Sequence, residues 1–265
     1  MIVDGRAIAA EIYQGIRNRI THLNMKPHLT VFTCEPNFET QKFLSLKKRK
    51  AEEVGIDVNV IEFPEAIKTE EVIQSILHAA MQTDGIIVQL PFPKTVDVDE
   101  VLKNIPPSLD IDAVHYDGTN TDVLPPVVGA IKAIADRQDI LFASAKVVVI
   151  GEGKLVGKPA ALWAQKMGAQ VTVVNRQTKD VSEVLQSSHI IISGAGRPGL
   201  IKPEDVSEGV IIFDAGTSEE SGELKGDASP ECADKAEVFT PVPGGIGPIT
   251  VAVLLRNLVS LLEAK

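Results

Sequence analysis

A lysine that shares a helical stripe with apolar residues is a candidate acid or base, and this chain carries one. In the helix predicted over Glu39 to Val54, positions 43, 47, 50 or 51, and 54 fall on one face, which reads Phe43, Lys47, Lys50 or Ala51, Val54. Burial favours the neutral amine, so the pKa of Lys47 can fall towards neutrality. The same side chain can instead pack its methylenes and send its ammonium to water as part of Lys47-Lys48-Arg49-Lys50, and by periodicity alone that is the commoner arrangement. Two more polar groups improve the case. Gln89 ends the apolar strand that starts at Asp84, at the carboxyl edge where an open parallel sheet offers its ligand crevice. Asp112, in Leu109-Asp110-Ile111-Asp112-Ala113-Val114-His115, falls in the loop that would border the same crevice.

Two glycine-rich stretches compete to hold a phosphate. Gly194-Ala195-Gly196-Arg197-Pro198-Gly199 matches G-x-G-x-x-G, whereas Gly151-Glu152-Gly153-Lys154-Leu155-Val156-Gly157 has its last glycine one residue late. Context reverses the ranking, because a pyrophosphate is held by free N–H groups at the start of a helix that follows a strand. The apolar run Lys146 to Ile150 precedes the earlier stretch, and a helix through Ala160, Ala161, Leu162 and Ala164 follows it. The later stretch runs into Leu200-Ile201-Lys202-Pro203 and is read as a loop at a strand end near the cofactor. About 20 residues past the first glycine, an acid selects NAD and a cation tolerates the 2′-phosphate of NADP. Here Val174-Asn175-Arg176-Gln177-Thr178-Lys179 offers Arg176 and Lys179 and no acid, which favours NADP over NAD. Glu152 pulls the local charge the other way, and Arg176 taken alone could be a plain exposed cation. A lysine, an amide and a carboxylate beside a nicotinamide site would suit a polar heterocycle better than a simple alcohol.

The elements that must position these groups alternate. Helical spacing from Val3 to Arg19 is followed by a strand from His28 to Cys34, the lysine helix, a strand from Asp57 to Phe63, a helix from Thr69 to Gln82 and a strand from Asp84 to Gln89. After the prolines at 106–107 and 125–126 a second series opens: a helix to about Ala135 and a strand from Ala145 to Ile150, then the glycine turn, a helix from Val156 to Gly168 and a strand from Gln170 to Val174. Strands at His189 to Ser193 and Val210 to Asp214 follow, then a polar turn at Ser218 to Glu223, a strand from Glu237 to Phe239 and a closing helix from Ile246 to Glu263. Strands alternating with long helices predict an α/β fold of two domains with parallel sheets, and the cleft between the two is the default site.

Composition excludes several function classes. The 265 residues carry 26 Lys plus Arg against 36 Asp plus Glu, a formal charge of −10, which argues against a nucleic-acid grip. Apolar runs are expected to stop short of the ~18 residues that cross a bilayer, and Met1-Ile2-Val3-Asp4-Gly5 lacks the order of a signal peptide, so a cytoplasmic protein with no membrane partner is expected. The two cysteines, Cys34 and Cys232, lie far apart in the sequence, and the five histidines form no HExxH or i, i+4 pair. No metal site is expected from them.

Taken together, these stretches resemble the bifunctional methylenetetrahydrofolate dehydrogenase and methenyltetrahydrofolate cyclohydrolase family, the FolD-type enzymes. Thr240-Pro241-Val242-Pro243-Gly244-Gly245-Ile246-Gly247-Pro248-Ile249-Thr250 is close to that family's T-P-V-P-G-G-V-G-P-M-T signature. Asp84-Gly85-Ile86-Ile87-Val88-Gln89-Leu90-Pro91, Lys50 to Ile56, Val156-Gly157-Lys158-Pro159 and the G-E-L-K-G-D stretch ending at Asp227 support it, in the right order along the chain. The resemblance implies an N-terminal α/β folate-binding catalytic domain, residues 1–124 plus 245–265, and a Rossmann-like doubly wound NAD(P)-binding domain, residues 125–244. It implies a homodimer that takes a small-molecule folate and NADP. It also places Lys47 on the catalytic lysine, Gln89 on the glutamine that works with it, and Asp112 on the aspartate that holds the pterin ring. Phe43, Leu90, Pro91, Gly245, Gly247 and Pro248 would line the folate pocket, and Gly151, Glu152, Gly153, Gly157, Arg176 and Thr217 would meet the cofactor.

Departures from the family pattern carry their own implications. Phe43 stands where the family has a tyrosine one turn before the lysine, which implies weakened hydrolysis of the methenyl group with dehydrogenation retained. Leu124-Pro125-Pro126-Val127 replaces P-C-T-P. Glu152 replaces an arginine, Gly153 a serine, and Arg176 a serine, as though the phosphate-binding cation had moved from the first loop to the second. A FolD-like enzyme on another one-carbon pterin, and a folate-binding relative without turnover, are the alternative expectations.

Overall fold

A computed structural model describes residues 1–23, 25–36, 38–220 and 223–265. The chain divides into two compact units, each α/β with a parallel sheet, as the alternation predicts. One comprises Glu11–His115, Thr121–Leu124 and Leu254–Lys265; the other comprises Met1–Ala10, Tyr116–Asn120 and Pro125–Val253.

The first unit is built on a three-stranded sheet of order β2-β1-β3, formed by β1 (His28–Cys34), β2 (Asp57–Phe63) and β3 (Gly85–Val88). In the central strand every residue after His28 is buried, because helices cover both faces of a parallel sheet. The helices of the chain's first half are α1 (Gly5–His22), α2 (Phe38–Glu53), α3 (Thr69–Ala79) and α4 (Val98–Lys103). Phe32, Val72, Ile76, Ile86 and Val101 form a core that fastens α3 and α4 to the sheet. The short α4 has no counterpart in the expected elements: six residues are too few for periodicity to register, and the Asp97 carboxylate starts the helix by accepting the Glu100 N–H at 3.1 Å.

The second unit holds a five-stranded parallel sheet of order β10-β7-β6-β4-β5. Its strands are β4 (Lys146–Ile150), β5 (Gln170–Val174), β6 (Ile190–Ser193), β7 (Ile211–Asp214) and β10 (Val238–Phe239). The chain runs from β4 outward to β5 and returns to β6 on the other side of β4, so the strand order reverses between β4 and β6. Such a reversal opens a crevice beyond the carboxyl ends of the strands. The unit's helices include α5 (Pro126–Arg137), which has proline at its first position, α6 (Gly157–Lys166) and the six-residue α7 (Val181–Gln186), which the sequence reading did not anticipate.

Two local expectations are corrected. The helix expected from Val3 starts at Gly5, because the Asp4 carboxylate accepts the N–H groups of Arg6 and Ala7 while Met1–Val3 pair alongside β10 through Val3 N–H to Phe239 O. The polar turn expected at 218–223 is an antiparallel hairpin of β8 (Ser218–Glu220) and β9 (Glu223–Lys225), and its Ser221 and Gly222, the latter opening the G-E-L-K-G-D stretch, lie outside the described residues.

The closing helix α8 (Ile246–Glu263) is, against expectation, long and apolar enough to cross a membrane by length and composition alone. Of this segment 61% is buried within the protein, where Ile249, Val251, Ala252, Leu255 and Leu258 are core residues, so its apolar surface is already occupied. Asn257, on the same helix, is fully buried and donates to the carbonyls of Ile111 and Leu124.

Candidate functional site

Lys47 and its three cationic neighbours separate cleanly in the first unit. Lys48 and Arg49 face solvent and lie within 3.9 and 3.7 Å of Glu52 and Glu53, while Lys50 bonds to Glu53 at 2.6 Å. Lys47 is turned the other way and is 9% exposed, one turn from the fully buried Ala51. Its Nζ donates to Gln89 Oε1 at 2.9 Å. Gln89 is itself anchored, because its N–H continues the sheet pairing to Phe32 O and its Nε2 donates to Leu90 O at 3.0 Å. The snorkelling alternative is thereby excluded: the ammonium ends on a fixed amide, not in water.

Asp112 reaches the same place from another element. The buried Asp110 carboxylate accepts the N–H groups of Val114 and His115, both at 3.1 Å, and so closes a turn. Asn257 holds Ile111 by its carbonyl, and Gly85 leaves room for Ile111, since a Cβ there would lie 2.9 Å from the Ile111 Cγ2. Between these anchors Asp112 is half-buried. Burial pushes its carboxyl up to about 6, opposed by the nearby Lys47 charge and assisted by Asp110. Burial likewise holds Lys47 below the ordinary lysine value, with Asp112 acting against the shift. An acid and a base whose pKa values move towards each other are suited to proton transfer near neutral pH.

Phe43 lies one turn before Lys47 with its ring half in solvent, and Lys47 Nζ sits 4.9 Å from the ring centroid. The ring face stabilises the cation and offers no hydrogen bond. Leu90 packs on the core of this unit, while Pro91 is exposed beside it.

In the second unit the β4 loop has the backbone that phosphate binding requires. Gly151 adopts φ +99°, and a Cβ on Gly157 would stand 2.0 Å from Gly151 O, so the start of α6 is pressed against the strand end as only glycine allows. A Cβ on Gly153 would meet nothing within 4 Å; that side of the loop is open. Beside it, Glu152 accepts a hydrogen bond from Asn175 Nδ2 at 2.9 Å, whereas Arg176 is exposed and, among the described residues, has no bonded partner. Thr217 is exposed, and its carbonyl lies 3.7 Å from where a Cβ on Gly196 would stand.

The stretch that matches G-x-G-x-x-G letter for letter has its amides already taken. The N–H groups of Ala195 and Arg197 donate to the Asp227 carboxylate at 2.7 and 2.6 Å. An internal anion occupies the nest that a pyrophosphate would need. Asp227 was not singled out as a site residue in the sequence, since one aspartate in a polar stretch gives no local signal.

Gly245 and Pro248 belong to the turn that launches α8. A Cβ on Gly245 would lie 2.6 Å from Pro241 O, which only glycine tolerates, and Pro248 sits in the first helical turn beside the exposed, uncrowded Gly247. Among the described residues no group of three or more His, Cys, Asp or Glu side chains is placed to hold a metal ion.

Comparison with known proteins fits this geometry. Residues 3–112 match the family described as tetrahydrofolate dehydrogenase/cyclohydrolase, catalytic domain, and residues 125–265 match its NAD(P)-binding domain. The chain belongs to the FolD family. It is 35% identical over 271 residues to the bifunctional protein FolD of Staphylococcus epidermidis, covering 97% of this chain and 94% of that one. The solved FolD methylenetetrahydrofolate dehydrogenase/cyclohydrolase of Campylobacter jejuni superposes with a TM-score of 0.95 at 31% identity, covering 100% and 99% of the two chains. The FolD of Trypanosoma brucei, solved with NADP and an inhibitor, gives 0.91 at 28% identity over 100% of this chain and 97% of that one. Within the FolD family, then, this chain carries the Lys47–Gln89 hydrogen bond and the coupled Asp112 in one unit and a dinucleotide-type loop in the other.

Proposed function

We propose that this FolD-family chain oxidises 5,10-methylenetetrahydrofolate to the 5,10-methenyl form with NADP, and hydrolyses that product to 10-formyltetrahydrofolate at a rate reduced by Phe43. The observation that carries this reading is the 2.9 Å bond from a buried lysine amine to a fixed glutamine, electrostatically coupled to a half-buried aspartate.

A dinucleotide, when bound, would supply the hydride acceptor. The chain's own task in that step is to hold and orient the folate, with Asp112 accepting a pterin N–H and Phe43, Leu90 and Pro91 shaping the pocket beside it. The β4 loop from Gly151 to Gly157, with Glu152 and Gly153 at its tip and Thr217 nearby, holds the dinucleotide, and Arg176 takes the 2′-phosphate because Glu152 is engaged by Asn175. Hydrolysis asks more of the protein. Lys47 as the neutral amine takes one proton from the water as its oxygen bonds to the methenyl carbon; the resulting ammonium returns that proton to the ring nitrogen as the C–N bond breaks, and the remaining hydroxyl proton passes to solvent as the formyl C=O forms. Gln89 fixes the Nζ through its acceptor oxygen. Phe43 weakens this half because its ring face biases Lys47 towards the charged form and contributes no hydroxyl. The homodimeric state and cytoplasmic location of this reading rest on family resemblance, and size-exclusion chromatography with light scattering checks the first.

Two results test the proposal. Phe43→Tyr raises methenyl hydrolysis about tenfold, the worth of one hydrogen bond near the reacting centre, and leaves hydride transfer within about twofold. The decay and formation of methenyl absorbance read the two halves separately. Equal gains in both would refute the division of labour; binding without any turnover favours a non-catalytic folate binder, and inertness towards this folate favours another pterin. Arg176→Ala raises the KM for NADP about tenfold and leaves that for NAD unchanged, in line with the loss of one exposed charge-assisted contact. A parallel change in both constants removes Arg176 from the specificity site.

A further inference from the structure

A buried carboxylate with several donors in the second unit lies outside every residue assigned so far. Asp227 is fully buried and holds three donors: Ser193 Oγ–H at 2.6 Å and Ala195 N–H at 2.7 Å on Oδ2, and Arg197 N–H at 2.6 Å on Oδ1. A second buried carboxylate, Asp214, accepts Gly216 N–H at 2.9 Å and Ala228 N–H at 2.8 Å. Two glycines are required by this arrangement. A Cβ on Gly216 would stand 2.1 Å from Asp227 Cγ, and one on Gly226 would stand 2.2 Å from Asp214 Oδ2. Three loops are therefore tied to two carboxylates: the loop after β6, the loop after β7, and the segment after β9.

The first of these loops lies at the place where the strand order reverses. A Cβ on Gly151 would be 3.0 Å from Gly194 O, and one on Gly194 would be 2.3 Å from Val156 Cγ1, so the β6 loop is in van der Waals contact with the β4 loop. Ser218 Oγ–H, donating to Gly196 O at 2.8 Å, holds the outer side of the β6 loop. On the inner side Gly194 N–H donates to Ile150 O at 3.0 Å, and the amides of Ala195 and Arg197 beyond it both end on the Asp227 carboxylate. A buried carboxylate is tolerated only where donors replace its lost water, and all three donors here are backbone or backbone-adjacent groups of one short segment.

We propose that Asp227 is a positioning residue for the dinucleotide site: with Ser193, it sets the path of Ala195–Arg197 and hence the wall that faces the β4 phosphate loop. The proposal rests on the dinucleotide reading of that loop. In Asp227→Asn an amide nitrogen takes the place of one oxygen and meets backbone N–H donor to donor, so the segment must shift. The experiment compares wild type, Asp227→Asn and Ser193→Ala in three measurements: NADP affinity by titration calorimetry, the KM and kcat for NADP in hydride transfer, and methenyl hydrolysis, which consumes no dinucleotide. Expected are an NADP Kd and KM raised about tenfold in Asp227→Asn and about threefold in Ser193→Ala, with hydrolysis unchanged in both. A purely structural role would instead lower both activities together with the melting temperature and leave KM unmoved; that result overturns the proposal. Should Asp227→Asn fail to fold, Ser193→Ala decides, because it keeps the carboxylate and removes one donor. Wild-type protein that binds no NADP overturns the dinucleotide reading and this proposal with it; wild-type binding that neither variant alters overturns the positioning role alone.

Discussion

Lys47→Met lowers methenyl hydrolysis about 100-fold or more and leaves methylene oxidation within a few-fold of wild type. A positioned general acid or base supplies about 100-fold to 10,000-fold, and methionine keeps the buried methylenes while deleting the proton carrier. Hydride loss from the methylene carbon is driven by the folate nitrogens and needs no strong base, so the second activity reports on whether the pocket survives. Folding should survive as well, because a buried amine held below its ordinary pKa is replaced by an apolar chain of similar length. Gln89 then loses its donor, and some loss of order around Leu90 follows. Both rates, followed by methenyl absorbance on one preparation, check the claim. Equal loss of the two activities would mean that Lys47 serves the pocket's shape and not proton transfer.

Asp112→Asn raises the KM for the folate about 10-fold to 100-fold at pH 7.5, the worth of a charge-assisted hydrogen bond in a partly buried site. The wild type reaches the same deficit by acidification. Burial holds its carboxyl up at about 6 in the folded protein against an ordinary 3.8, so the ionised form, to which the proposed function assigns pterin binding, is lost as pH falls through about 6. KM therefore climbs below pH 6 in the wild type and stays flat in Asp112→Asn. Stability moves the opposite way. A carboxyl raised on folding penalises the folded state above its folded pKa, and the penalty fades between pH 6 and 4, so the asparagine variant is spared that penalty at pH 7.5. In Lys47→Met the break in the KM profile shifts above 6, since the opposing positive charge is gone. A wild-type KM that is level from pH 5 to 8 would remove Asp112 from substrate binding.

These two residues also show how far a sequence reading reaches. The alternation of elements, the glycine loop preferred for its place between a strand and a helix, and the stripe that carries Phe43 and Lys47 all follow from local spacing. The lower rank of the second glycine loop follows as well, because no helix opens after it. What local spacing does not show is that its amides are filled by the Asp227 carboxylate, 30 residues from Arg197 in sequence and 2.6 Å from its amide in space. Short helices such as α4 and α7 escaped because six residues complete fewer than two turns.

By itself the sequence determined that this chain is α/β with parallel sheets, that its formal charge is −10, and which family it belongs to, because periodicity, composition and motif order are properties of neighbours along the chain. Only the tertiary structure decided that Lys47 turns inward while Lys48 and Arg49 stay in water, that Gln89 captures its amine, and that Arg176 has no bonded partner among the described residues while Glu152 is engaged. The physical reason is that a charge's protonation and partner depend on which groups crowd it and exclude water, and those groups arrive from distant elements.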